Sequence, residues 1–170
     1  MSSGGRETER KYLIRMPEAS FLTGGEIWEI RQTYLVAGRG NRRVRAVVCR
    51  GETRYFYTEK ERVSVLTSIE REREIDGDAY RAYLSEARPD SAEVVKTRYR
   101  IPYAGHTLEI DVYPFWRDTA VLEVELAEEG EQVKLPAWVS ILREVTAEPL
   151  YKNTNIARFL KNHPGEPLPL

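Results

Sequence analysis

Glu7-Thr8-Glu9-Arg10-Lys11, near the start of the chain, places Glu7, Glu9 and Lys11 on one face of a predicted β-strand, because side chains two residues apart share a face. Most strands use that alternation to bury apolar residues, whereas here the charges repeat. The pattern returns along the chain. Arg43 and Arg45 oppose Val44, Ala46 and Val48, and Glu72 and Glu74 oppose Ile75. Lys96 and Arg98 oppose Val95, Thr97 and Tyr99, and Glu109 and Asp111 oppose Leu108, Ile110 and Val112. Glu123 and Glu125 oppose Leu122, Val124 and Leu126, and Lys60 adds a cation at the end of its own strand.

The 170 residues are enough for one domain with a real core. A hydrophobic share of 41% with 31% charged residues fits a globular chain with a heavily charged face. The 26 basic and 27 acidic residues leave a net charge of −1, which argues against a uniformly basic nucleic-acid binder. Cys49 is the only cysteine, so no intrachain disulfide forms and a reducing compartment is favoured. Residues 1–6 lack an apolar signal core and no later window reaches the length of a membrane span. The expectation is a soluble, cytoplasmic protein that engages neither membrane nor nucleic acid.

Strands are predicted over Glu7–Ile14, Ile27–Ala37, Arg43–Cys49, Thr53–Lys60, Ser68–Ile75, Glu93–Pro102, Thr107–Tyr113 and Thr119–Ala127. Gly38-Arg39-Gly40-Asn41, Arg50-Gly51-Glu52 and Tyr103-Ala104-Gly105-His106 read as turns. Asp76 or Asp78 caps a helix whose apolar stripe is Ala79, Tyr80, Tyr83, Leu84 and Ala87, and Pro89 stops it. Leu135–Trp138 opens a short helix or loop, and Asn155–Asn162 forms a closing helix. Residues 1–6 and 163–170 are expected to be flexible. The fold class is mainly β (α+β): about eight antiparallel strands in a closed or nearly closed sheet, with a few helices outside over its apolar face. Trp28, Trp116 and Trp138 are expected to pack against those helices, and His106 and His163 to be solvated.

Two geometries satisfy the parity. In one, a half-solvated sheet leaves its charges in water. In the other, the sheet closes with charge inward. Like charges two residues apart repel modestly on an open surface and strongly when enclosed, and desolvating unpaired ions costs several kcal/mol each. A charged lumen must therefore be wet, and it asks for ligands of both signs. Hard divalent cations suit the carboxylates, and a polyphosphate suits the arginines and lysines.

Glu7-x-Glu9-x-Lys11 resembles the ExExK signature of the CYTH superfamily, the triphosphate tunnel metalloenzymes. The likeness continues in order through Gln32-Thr33-Tyr34-Leu35, Arg43-Val44-Arg45, Thr58-Glu59-Lys60, Glu72-Arg73-Glu74-Ile75, Lys96-Thr97-Arg98-Tyr99, Leu108–Val112, Leu122–Leu126, Glu144-Val145-Thr146 and Tyr151-x-Asn153. It implies an eight-stranded antiparallel tunnel that binds triphosphate and divalent metal, with small bacterial inorganic tripolyphosphatases as the nearest likeness. By that resemblance Lys11, Arg43, Arg45, Lys60, Lys96 and Arg98 hold phosphate. Glu7, Glu9, Glu123 and Glu125 are the main ligands of Mg²⁺ or Mn²⁺ at two sites, assisted by Glu72, Glu74, Glu109 and Asp111. Lys11 contacts the scissile phosphate, and Tyr34 with Lys60 assists leaving-group departure or water orientation.

Thr33 stands where relatives often carry Gly, and Ser3-Gly4-Gly5-Arg6 replaces the His-Phe that adenylyl cyclases of the superfamily often place ahead of ExExK. The expected partner is inorganic triphosphate or a nucleoside or other organic triphosphate, and a homodimer is possible. Cyclisation of ATP, hydrolysis of thiamine, nucleoside or RNA triphosphate, and a non-catalytic polyphosphate- or nucleotide-binding module are the rival readings. Crowded carboxylates predict an alkaline optimum.

Overall fold

A computed structural model of the chain describes residues 2–36, 38 and 40–170. The predicted strand end at Ala37 and the turn residue Arg39 lie outside these. The described residues form β1 (Ser2–Arg15), β2 (Glu26–Tyr34), β3 (Asn41–Cys49), β4 (Glu52–Arg62), β5 (Thr67–Ile75), β6 (Val94–Tyr103), β7 (His106–Val112), β8 (Thr119–Leu126) and β9 (Ile141–Glu144). Two α-helices, α1 (Gly77–Leu84) and α2 (Asn153–Asn162), stand outside the sheet. Among the described residues no helix is long and apolar enough to cross a membrane.

Eight strands close into a ring. The order β5-β4-β3-β2-β6-β7-β8-β1 returns on itself because β1 also pairs with β5, and every pairing is antiparallel. Closure removes the exposed edges that an open sheet would present. β1 achieves it by its length. Thr8–Arg15 pairs with β8 along one edge, while on the other edge Ser2–Thr8 pairs with β5 and Tyr12–Ile14 pairs with β9. Residues 2–6, expected to be flexible, are thus part of the wall, in register with Ile69–Arg73. The Arg50-Gly51 and Ala104-Gly105 hairpins each place both central residues at positive φ, the type I′ geometry whose twist matches the flanking strands.

The outward faces carry the aliphatics. Tyr12 and Ile14 of β1, Leu108 and Ile110 of β7, and Leu122, Val124 and Leu126 of β8 form one buried cluster. Its cover is mostly irregular chain rather than helix: a 3-10 turn at Ala19–Leu22 and the segment bearing Val133, Leu135, Trp138 and Val139. Trp138 stacks on Phe21 at 5.2 Å between ring centres. α1, capped by Asp76 accepting from the Ala79 amide, covers Val44 and Tyr57 with Tyr80 and Tyr83. Each fully buried side chain of this kind contributes about 1.5–3 kcal/mol.

A third cluster seals part of one end of the barrel. Inward parity passes from Lys11 to Leu13, from Gln32 to Tyr34, from Lys96 to Val94, from Asp111 to Tyr113 and from Glu123 to Val121, and these residues pack with Ile156 and Ala157 of α2. Leu168 joins them at 1% exposure, its carbonyl accepting from Trp116 Nε1 at 2.9 Å. The 163–170 segment is therefore anchored at Leu168 rather than free.

Candidate active site

The inward positions sort by sign around the ring. Acids come from four consecutive strands: Glu109 and Asp111 of β7, Glu123 and Glu125 of β8, Glu7 and Glu9 of β1, and Glu70 and Glu72 of β5. Bases come from the other half: Lys96, Arg98 and Arg100 of β6, Arg43 and Arg45 of β3, and Lys60 of β4. Among the described residues Lys11 is the one inward cation on the acidic arc. The two arcs enclose a cavity of about 230 Å³ lined almost wholly by polar atoms, including Glu7, Glu9, Arg43, Arg45, Glu123 and Glu125. The charged face points inward.

Where the arcs meet, ions pair. Lys60 Nζ donates to Glu7 at 2.7 Å, and Lys11 Nζ lies 2.9 Å from Glu123 Oε1 and donates to the Tyr151 carbonyl at 3.1 Å. Lys96 and Arg98 both bind Asp111, and Arg98 also reaches Glu109 and Glu123. Arg45 donates to Glu72 at 2.9 Å, and Thr58 donates to the same carboxylate. Arg43 contacts Glu70 at 3.4 Å. The pairing is incomplete. Arg43 Nε and Arg45 Nε are buried without a hydrogen-bond partner among the described residues. Such an orphan donor costs about 1–3 kcal/mol, and an oxyanion in the bore would satisfy it.

The acidic arc holds uncompensated charge. Glu9 stands opposite Glu125 across β1 and β8, an arrangement that is destabilising without a cation between the two, whereas Glu109 and Glu123, opposite each other across β7 and β8, share Arg98. Burial pushes the Glu7 carboxyl up to about 7, against the pull of Lys60. Burial also raises Glu125, with Glu109 and Glu9 adding to it. Burial alone would raise Glu123, but Lys11, Arg98 and Lys96 hold it well below the usual carboxylate range. Crowding therefore raises some acids of the set and not all. On the basic side, burial lowers Lys96 to about 8 although Asp111 opposes it. Tyr34, whose hydroxyl accepts from Gln32 Nε2 at 2.8 Å, is pushed up by burial against the pull of Arg43 and stays a protonated phenol.

Most residues expected from parity meet in this bore; Glu74 and Asp111 are placed differently. Glu74 is exposed at the rim, bound by both arms of Arg54, because it lies beyond the level of the enclosed band. Asp111 is inside but fully buried, with both oxygens engaged by Lys96 and Arg98. Parity continued by one more step would have found Glu70, Arg100, Gln32 and Thr58, each two residues from one already counted. Trp28 does not pack under a helix. It lines the bore, with the Arg100 guanidinium 4.3 Å above its ring. Trp116 does pack near α2, and His106 is paired with Glu131 at 2.7 Å.

The donor set of the acidic arc fits a hard divalent cation, being carboxylate oxygens only. Glu123 Oε1 is buried and makes no hydrogen bond, despite its ion pair with Lys11. Among the described residues no three acidic side chains converge closely enough to hold an ion as they stand, since several are turned toward arginine or lysine.

No family model and no curated protein matches the chain. Solved structures do. The crystal structure of the inorganic triphosphatase NE1496 matches with TM-score 0.55 and 25% identity, over 89% of this chain and 94% of that one. A second structure, of the hypothetical protein NE1496, matches with TM-score 0.54 and 27% identity over 89% and 97%. The PH1819 protein of Pyrococcus horikoshii OT3 shares the fold at 19% identity, with TM-score 0.53 over 72% and 80%. With its closed eight-stranded ring, inward charge and ExExK motif, the chain has the tunnel fold of the CYTH superfamily.

Proposed function

We propose that the chain hydrolyses a triphosphate, with inorganic tripolyphosphate as substrate and a divalent cation, Mg²⁺ or Mn²⁺, as cofactor. The observation that carries this reading is the division of one enclosed bore into an acidic and a basic arc, with buried Arg43 and Arg45 donors left over. A linear triphosphate matches the basic arc, and carboxylates that repel one another have no purpose in binding a polyanion alone. The NE1496 structure, described as an inorganic triphosphatase, supports the same reading at 25% identity.

Arg43, Arg45, Lys60, Lys96 and Arg98 would grip phosphate oxygens, the arginines as planar forks. Lys11, held by Glu123 and the Tyr151 carbonyl, would offer its charge to the scissile phosphate. Tyr34, kept protonated by burial, would donate its hydroxyl hydrogen to a phosphate oxygen rather than accept a proton. Glu9, Glu109, Glu123 and Glu125 would hold the cation, with Glu7, Glu70 and Glu72 assisting. When bound, such a cation neutralises phosphate charge and lowers the pKa of water. Water attacks a terminal phosphorus in line, the bridging P–O bond breaks, and pyrophosphate and orthophosphate result. Positioning and charge neutralisation supply most of the acceleration in such transfers.

A substrate panel tests the assignment: tripolyphosphate, ATP, thiamine triphosphate and pyrophosphate, each with Mg²⁺ and with Mn²⁺. Tripolyphosphate should show the highest kcat/KM. A preference for ATP with a cyclic product would replace hydrolysis by cyclisation.

A further inference from the structure

Past Lys11, Tyr34 and Lys60 the bore opens into a second cavity of about 90 Å³ beside α2. Its far wall is Arg62 at the end of β4, Ser68 of β5, and Lys152, Asn153 and Thr154 where α2 begins. None of these belongs to the set that strand parity identifies. The near-wall cations have carboxylate partners: Lys11 has Glu123, Lys60 has Glu7, and Arg43 has Glu70. The far wall differs. Arg62 donates only to the Ser64 and Val65 carbonyls, and neither Arg62 nor Lys152 makes an ion pair among the described residues.

Among the described residues Glu9 is the single carboxylate lining this cavity, against five cations. Partial burial lowers Lys152, with Arg62 and Lys11 adding to the effect, as expected for like charges gathered without a counter-ion. The amino-terminal end of α2 adds partial charge of the same sign. Arg43, whose buried Nε lacks a partner, lines both this cavity and the main bore. The volume accommodates several waters, which suits one tetrahedral oxyanion rather than a chain of three phosphates. At the opposite end the bore leads into a wider mouth of about 660 Å³, sharing Trp28, Arg45, Glu72 and Arg100 with it.

We propose that the small cavity is a product site. It holds the orthophosphate released from the deep end of the triphosphate, with Arg62 and Lys152 as its binding cations, while substrate enters through the wide mouth. This rests on the triphosphatase reading, and it adds a direction to the bore.

The test combines orthophosphate inhibition of tripolyphosphate hydrolysis with a ³¹P NMR titration of orthophosphate against the substrate-free chain. Arg62→Ala and Lys152→Ala should each raise the inhibition constant and the dissociation constant for orthophosphate about tenfold, equivalent to about 1.4 kcal/mol. The kcat/KM for tripolyphosphate should move less than about twofold, and Lys152→Arg should restore phosphate binding. An unchanged inhibition constant, or equal rises in it and in KM, would overturn the proposal. Should the chain leave tripolyphosphate intact, the triphosphatase reading fails, and the titration alone then decides the site. One bound orthophosphate, weakened about tenfold in both alanine variants, supports it; no binding by the unmodified chain, or unchanged binding in the variants, refutes it.

Discussion

Arg98 holds Asp111 with two arms, Nε donating to Oδ1 at 2.7 Å and an Nη2 to Oδ2 at 2.8 Å. Lys96 donates to Oδ2 as well, at 2.5 Å, and the Asp111 side chain has no exposed surface. Asp111 is thus the partner of two inward cations, and under the proposed function it positions them for phosphate, where motif likeness suggested a metal ligand. Asp111→Asn should therefore cost about 3–5 kcal/mol of stability, the loss expected when a buried ion pair is broken from one side. It should raise the KM for tripolyphosphate without displacing the metal activation curve. Chemical denaturation and a Mg²⁺ titration measure both, and a large shift of the metal midpoint at unchanged KM would return Asp111 to the ligand set.

Glu125 offers the converse case. It faces Glu9 and makes no ion pair among the described residues, so its charge serves no neighbouring base. Glu125→Gln should leave stability unchanged or slightly improved and raise the metal concentration for half-activity about tenfold or more, since carboxylate count sets affinity for hard cations. Arg45→Ala should do the reverse, with KM raised and the metal midpoint unmoved. Steady-state kinetics over a grid of metal and substrate separates the two.

How much of this was legible in the sequence depends on the physics at each position. Parity identified the inward face because a period of two follows directly from strand geometry, and it placed Glu9, Arg43, Arg45, Lys96 and Glu123 correctly. It missed Glu70 and Arg100 at the ends of the same rows, and it admitted Glu74, because alternation fixes a face but not a height along the bore. Residues 2–5, Ser-Ser-Gly-Gly, have poor strand propensity, and β5 recruits them into the wall through long-range pairing. Arg62 and Lys152 reach one cavity from distant parts of the chain, which no local pattern reports.

The pH dependence follows from two groups. Glu7, raised to about 7, is protonated and a poorer cation ligand at lower pH, so kcat/KM at subsaturating metal should fall as pH drops below about 7. Lys96, lowered to about 8, loses its charge above that pH, so phosphate binding should weaken there. Glu70, Asp111 and Glu123 are held low by neighbouring cations and do not titrate in this range. The expected profile is a bell between about 7 and 8, narrower than a simply alkaline optimum. A plateau extending two units above pH 8 would contradict the Lys96 limb.

The carboxy-terminal anchor is testable by stability alone. Leu168 is buried against α2 and the end of the barrel, Trp116 donates to its carbonyl, and Tyr151 donates to the Pro169 carbonyl at 2.7 Å. Leu168→Ala should cost about 2–5 kcal/mol and lower Tm accordingly. A Tm within about a degree of the parent would show that the segment contributes nothing.

Phosphate release from tripolyphosphate, followed with excess Mg²⁺ or Mn²⁺ and again after EDTA, bears most directly on the proposal that the acidic arc of the bore holds a cation and the basic arc holds phosphate. Turnover that stops with chelation and returns when metal is restored is the predicted result. Hydrolysis at an undiminished rate in EDTA would contradict it, because the acidic arc would then have no part in the chemistry.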